Sequence, residues 1–132
     1  MSDSQSTTPI TGKVLIVEDN DFVRMQIVRY LADAGFEVVE ASDGKRALEI
    51  ITADFDLAIV DVRMEPIDGF EFVKAVRGKN LDTQVFLVTG DQNPDLLSEA
   101  GKWGINVVLM KPVQKDRLVK MAIRAIEQGR KK

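Results

Sequence analysis

The chain has 132 residues, enough for one ordinary domain and too few for two. Its hydrophobic share of 45% and charged share of 30% exclude a disordered chain, and the lack of cysteine and histidine excludes disulfides, thiol chemistry, a histidine base and the usual zinc sites. The net charge of −3 is uneven: 10 basic and 19 acidic residues up to Met110 give −9, and 8 basic and 2 acidic from Lys111 onward give +6, an asymmetry that can mark a partner-binding end.

In chain order, six of the first twelve residues are Ser or Thr, which predicts a flexible leader over 1–12 with no signal-peptide core. Apolar runs follow at Val14–Val17, Phe36–Ala41, Leu57–Val60, Val85–Thr89 and Ile105–Met110. They are continuous and not alternating, as in strands buried on both faces. A membrane span needs ~20 apolar residues, so a cytoplasmic protein is expected.

Between the runs lie stripes of helical period. The first is Val23, Ile27, Tyr30, Leu31 and Ala34, with Gly35 as its stop. The second is Ala47, Leu48 and Ile51; the third is Phe70, Val73 and Val76, ending at Gly78. The fourth is Leu96, Leu97 and Ala100 behind Pro94, a residue suited to a first turn. The fifth is Leu118, Met121, Ala122 and Ala125, with Arg117, Lys120 and Arg124 opposite. One domain is predicted over 13–128, followed by a basic tail over 129–132.

The alternation predicts an α/β fold, a doubly wound parallel sheet with helices on both faces. Right-handed crossovers leave few topologies for a (βα)5 chain, and the flavodoxin-like order 2-1-3-4-5 leads. Such sheets bind ligands beyond the carboxyl ends of their strands, where the strand order reverses.

Those ends carry Glu18-Asp19, Asp61, Thr89-Gly90 and Lys111-Pro112. Each has an ordinary explanation: Glu18 or Asp19 as a helix cap, Asp61 as a turn residue, Thr89 as a strand residue, Lys111 as a solvated cation. Together they place three carboxylates, a hydroxyl and an ammonium in one shallow pocket. Clustered carboxylates resist joint ionisation. A divalent cation removes that conflict, and oxygen-only ligands favour a hard ion such as Mg²⁺. A carboxylate so placed beside a lysine and a hydroxyl is suited to attack phosphorus and form an aspartyl phosphate.

The stretches VLIVEDN at Val14–Asn20, DVRMEPIDG at Asp61–Gly69, VTG at Val88–Gly90 and MKP at Met110–Pro112 resemble, in order and spacing, the receiver domain of two-component response regulators. The likeness runs from about Lys13 to Glu127. It implies that Asp61 is the phosphoacceptor and that Asp19 is a direct metal ligand, with Glu18 beside it acting through water. It implies that Arg63 lends its backbone carbonyl to the metal, that Thr89 and Lys111 contact the phosphoryl group, and that Gly90 leaves room for it. Asp68-Gly69 matches the turn that opens the third helix, and the Lys111–Pro112 peptide is often cis in the family. The implied cofactor is Mg²⁺. The implied donor is a sensor histidine kinase or histidine phosphotransfer protein, and the implied output is a protein target or onward phosphorelay, with changes near the fourth and fifth helices.

Three positions depart from the family pattern. Met64-Glu65-Pro66 stands where proline usually follows the methionine directly, Val108 where an aromatic is usual, and Val113 where phenylalanine is common. A valine cannot swing inward as the aromatic does, so a ring-based relay is not expected. Arg63 and Asp91, each two residues beyond a site residue, are expected to pair across the pocket mouth and restrict attacking water.

The expectation is a stand-alone receiver, a phosphoacceptor signalling domain and not a turnover enzyme. The alternative is a receiver-like scaffold or binding module that acts without phosphorylation. An aspartate-nucleophile phosphatase would want a second Asp where Arg63 stands, and a flavin phosphate would be repelled by Glu18-Asp19-Asn20-Asp21. The basic tail carries no nucleic-acid recognition motif, so no nucleic-acid partner is expected. The oligomeric state is left open.

Overall fold

A computed structural model describes residues 12–91, 93–105 and 107–130. Residues 1–11 of the expected leader and 131–132 of the expected tail lie outside them. Among the described residues ten elements alternate: β1 (Lys13–Val17), α1 (Asp21–Asp33), β2 (Glu37–Ala41), α2 (Gly44–Ile50), β3 (Leu57–Asp61), α3 (Gly69–Gly78), β4 (Gln84–Thr89), α4 (Pro94–Lys102), β5 (Val107–Met110) and α5 (Lys115–Arg130). The five strands form one parallel sheet in the order β2-β1-β3-β4-β5, the predicted topology. No helix of the described residues is long and apolar enough to cross a membrane.

The continuous apolar runs are explained by a core on each side of the sheet. Leu15, Val17, Ala58, Val60, Val85 and Leu87 point to the face covered by α2, α3 and α4. Their neighbours Val14, Ile16, Leu57, Ile59, Phe86 and Val88 point to the face covered by α1 and α5. Strand residues of both parities are therefore buried, as successive side chains on a strand alternate between faces.

The helical stripes hold with three shifts. Phe72, not Phe70, is the fully buried aromatic of α3, because the stripe turns with Val73 and Val76 at three- and four-residue spacing. Ile126 continues the buried face of α5 one turn past Ala122. Leu97 is 61% exposed on α4, whose inner face is instead Ala100 with partly buried Leu96 and Trp103. β5 begins at Val107 and not at Ile105, which is buried just after the left-handed turn at Gly104, φ 74°.

Local chemistry sets where each helix begins. The side chains of Asn20, Asp43, Asp68 and Asn93 cap α1 to α4 by accepting backbone N–H bonds; each such cap contributes ~1 kcal/mol. Asp68 and Glu71 complete a reciprocal capping box. Asn20 caps α1, so neither Glu18 nor Asp19 is needed there. Gly35 follows α1 at φ 98°, a left-handed conformation that glycine adopts without penalty.

Candidate functional site

Register brings the site together. Val17 of β1 pairs with Val60 of β3, Asp61 with Val88 of β4, and Thr89 with Met110 of β5. The residues just beyond or at these ends are Glu18, Asp61, Thr89 and Lys111. These four strand ends therefore lie next to one another at the carboxyl end of the sheet, where the strand order reverses between β1 and β3.

Glu18 is only 2% exposed. Its Oε2 accepts from Asn20 N at 3.1 Å. Its Oε1 lies 3.1 Å from Lys111 Nζ, a charge contact outside hydrogen-bond geometry, so this buried oxygen accepts no hydrogen bond. Lys111 Nζ also lies 3.4 Å from Asp61 Oδ1. Asp61 is buried, and the same Oδ1 accepts from Arg63 N at 3.3 Å. Asp19 is exposed at the pocket rim. One carboxylate oxygen from each of Glu18, Asp19 and Asp61 lies within 4.8 Å of the other two.

The electrostatics follow from this crowding. Burial pushes the Glu18 carboxyl up to about 7; the Asn20 N–H works against burial, the Asp61 charge adds to it, and Lys111 opposes. Burial disfavours the Lys111 ammonium, but Glu18 and Asp61 together outweigh it and raise the pKa above the ordinary lysine value. One ammonium shared by two buried carboxylates leaves excess negative charge beside Asp19. Burying an anion without full pairing is expensive, so the pocket calls for a further cation. Its donors are all oxygens, and Glu18 Oε1 is buried with an ion pair to Lys111 but no hydrogen bond. These features fit a hard divalent ion.

The rim is made by two loops. Thr89 is buried at the end of β4, and its Oγ1 accepts from Asp91 N at 3.0 Å, so its hydroxyl is engaged by the β4–α4 loop. Lys111 N donates to Thr89 O at 2.8 Å, tying the two strand ends. A Cβ at Gly90 would meet no protein atom within 4 Å, so packing does not demand glycine there. The Arg63 guanidinium bonds the Asp91 carboxylate across the mouth, the pairing the spacing predicts. Beyond it, a groove of about 720 Å³ runs between the β3–α3 loop and α4. The Glu65–Pro66 and Lys111–Pro112 peptides are both cis.

Gly69 is expected from the sequence at the opening of the third helix, but its close approach to Asp61 and the reach of Arg24 are not legible there. Gly69 opens α3 against the site strand, and a Cβ there would fall 2.7 Å from Asp61 O and 3.0 Å from Val62 Cα. Arg24 of α1 donates from Nη1 to Glu18 O at 2.8 Å, from Nε to Glu40 Oε1 at 2.9 Å and from Nη2 to Asp21 Oδ1 at 2.6 Å. The spacing of Asp21 and Arg24 on one helix is a readable pair; the reach to β1 and β2 is not.

Comparison with known proteins agrees with this geometry. A family model described as the response regulator receiver domain matches residues 14–123. A cyclic di-GMP phosphodiesterase of Thermotoga maritima is 35% identical over 105 residues, which cover 80% of this chain and 28% of that protein. A peroxide stress-activated histidine kinase, mak3, of Schizosaccharomyces pombe is 30% identical over 129 residues, covering 91% of this chain and 6% of that protein. The chain therefore spans less than a third of either relative. The solved structure of the Vibrio cholerae chemotaxis protein CheY4 superposes with a TM-score of 0.81 at 37% identity, covering 88% of this chain and 99% of that one.

Proposed function

Because the chain belongs to the response regulator receiver domain family, we propose that Asp61 accepts a phosphoryl group in a Mg²⁺-dependent reaction and that the phosphorylated chain signals to another protein. The observation that carries this reading is the convergence of Glu18, Asp61 and Lys111 at 3.1 and 3.4 Å around a buried oxygen that accepts no hydrogen bond.

Glu18, Asp19, Asp61 and the main-chain carbonyl of Arg63 would hold the ion. Bound Mg²⁺ supplies positive charge that offsets the clustered carboxylates and the incoming phosphoryl oxygens. Asp61 is the nucleophile. Its carboxylate oxygen bonds to phosphorus as the bond between phosphorus and the donor's imidazole nitrogen breaks; the imidazole keeps the electron pair and takes up a proton. The donor's phosphohistidine lies outside these 132 residues, which contain no histidine. A sensor kinase or histidine phosphotransfer protein supplies that chemistry, and one relative is itself named a histidine kinase. Lys111 neutralises a phosphoryl oxygen, Thr89 donates its hydroxyl to another, and the open space at Gly90 accommodates the group.

The domain acts as a phosphoacceptor that assists its own phosphorylation, not as a turnover enzyme. The output is phosphorylation-dependent protein binding or onward transfer of the phosphoryl group. The test is incubation with acetyl phosphate, read by intact mass. Wild type with Mg²⁺ gains one phosphoryl mass, whereas Asp61→Asn, or wild type in EDTA, gains none. Wild type that stays unmodified under saturating donor and Mg²⁺ overturns the proposal and favours a phosphorylation-independent binding module.

A further inference from the structure

A guanidinium lies behind the acidic pocket, bonded to the Glu18 main chain. Arg24 is exposed over only 14% of its side chain. It joins three segments: the end of β1 through Glu18 O, the end of β2 through Glu40, and the first turn of α1 through Asp21. Its bond to Glu18 O restrains the main chain at the junction between the buried Glu18 and the exposed Asp19. Both of these residues send carboxylates into the same 4.8 Å cluster. The peptide that follows Glu18 C=O is the one that aims Asp19. A fork with three bonds to three elements fixes that peptide more firmly than a single contact can.

We propose that Arg24 is a positioning residue for the divalent-cation site: it holds the Glu18–Asp19 peptide so that both carboxylates converge, without touching the ion itself. This rests on the Mg²⁺ reading given above. Groups that orient metal ligands from behind typically matter tenfold or more in affinity. Charge gives the proposal a sign that a generic effect lacks. Removing a cation bonded to the Glu18 main chain would, by charge alone, strengthen Mg²⁺ binding. Loss of the positioning weakens it.

The experiment is calorimetric titration with Mg²⁺ alone, paired with thermal melts in EDTA, for wild type, Arg24→Ala and Arg24→Lys. Arg24→Lys keeps the charge and loses the fork, so it remains informative if Arg24→Ala does not fold. The expected result is about a tenfold weaker Mg²⁺ Kd for Arg24→Ala and a smaller weakening for Arg24→Lys. A melting temperature that falls while the Mg²⁺ Kd stays within twofold of wild type, or tightens, overturns the proposal and leaves Arg24 a purely structural clamp. Wild type that does not bind Mg²⁺ overturns the metal reading itself, and this inference with it.

Discussion

Arg63 on the β3–α3 loop and Asp91 on the β4–α4 loop join guanidinium to carboxylate across the mouth of the Asp61 pocket. Each residue lies two positions beyond a site residue, so the pair latches the two loops that follow Asp61 and Thr89. This pair is expected to hinder a water attacking an aspartyl phosphate at Asp61. The pair is exposed, 77% for Arg63 and 47% for Asp91, and such pairs contribute ~0–1 kcal/mol. Arg63→Ala and Asp91→Ala are therefore expected to shorten the phosphoryl lifetime by no more than about fivefold, with little change in melting temperature. The decay of acetyl-phosphate-labelled protein after donor removal measures this. Unchanged decay in both variants removes the latch from the mechanism.

The Glu18 carboxyl, pushed up to about 7 by burial, gives the ion-free protein a definite pH response. A carboxyl whose folded pKa exceeds its unfolded value stabilises the fold fully below the unfolded value, near 4.5. That contribution is lost as pH rises through about 7. In EDTA, Glu18 thus makes the protein less stable at pH 8 than at pH 5. Mg²⁺ binding has the opposite slope, because the ion must displace the proton; its affinity falls as pH drops below about 7. Glu18→Gln should flatten the ion-free slope and weaken Mg²⁺ binding together. Urea midpoints across pH, with and without Mg²⁺, check both signs.

Gly69 lets α3 start against the backbone of the site strand. An added Cβ would sit 2.7 Å from Asp61 O, a main-chain atom that cannot move aside as a flexible side chain would. Gly69→Ala is expected to destabilise by ~1–3 kcal/mol, the usual effect of overpacking a tight contact. It should also weaken Mg²⁺ binding, because the strain falls on the backbone of Asp61. Gly78→Ala is the control: a Cβ there meets nothing within 4 Å, and it should melt no earlier than wild type. Thermal melts of the two variants measure the difference.

The order of strands and the residues at their ends were legible because both rest on one-dimensional signals. Continuous apolar runs mark strands buried on both faces, and polar residues directly after them mark the ligand end of a parallel sheet. Asp61, Lys111 and the Glu18-Asp19 pair could be placed in one pocket on that basis. The pairing of Arg63 with Asp91 followed from equal offsets beyond two neighbouring strands. What escaped depended on distances in space. Phe72 and Phe70 are equally apolar, and only the rotation of α3 against β3 decides which is buried. Leu97 reads as core by period, but α4 meets the sheet through Ala100. Arg24 carries no mark of its role in the sequence, because two of its three partners lie on other elements.

Thr89 links the site to the α4 surface. Thr89 Oγ1 accepts from Asp91 N at 3.0 Å, so in this state the hydroxyl and the β4–α4 loop are one unit. A phosphoryl group at Asp61 would draw Thr89 toward it and give up that bond. The N-cap of α4, Asn93 accepting from Asp95 N at 3.0 Å, lies two residues further on. Val108 is stiff about its first side-chain bond and has no ring to swing, so the displacement should travel through Asp91 and the Asn93 cap and not through β5. Beryllofluoride with Mg²⁺ is expected to shift the amide resonances of Asp91, Asn93 and Asp95 most strongly. Thr89→Ala should abolish those shifts, and Val108→Ala should leave them in place. Loss of the shifts in Val108→Ala would place the relay on β5 instead.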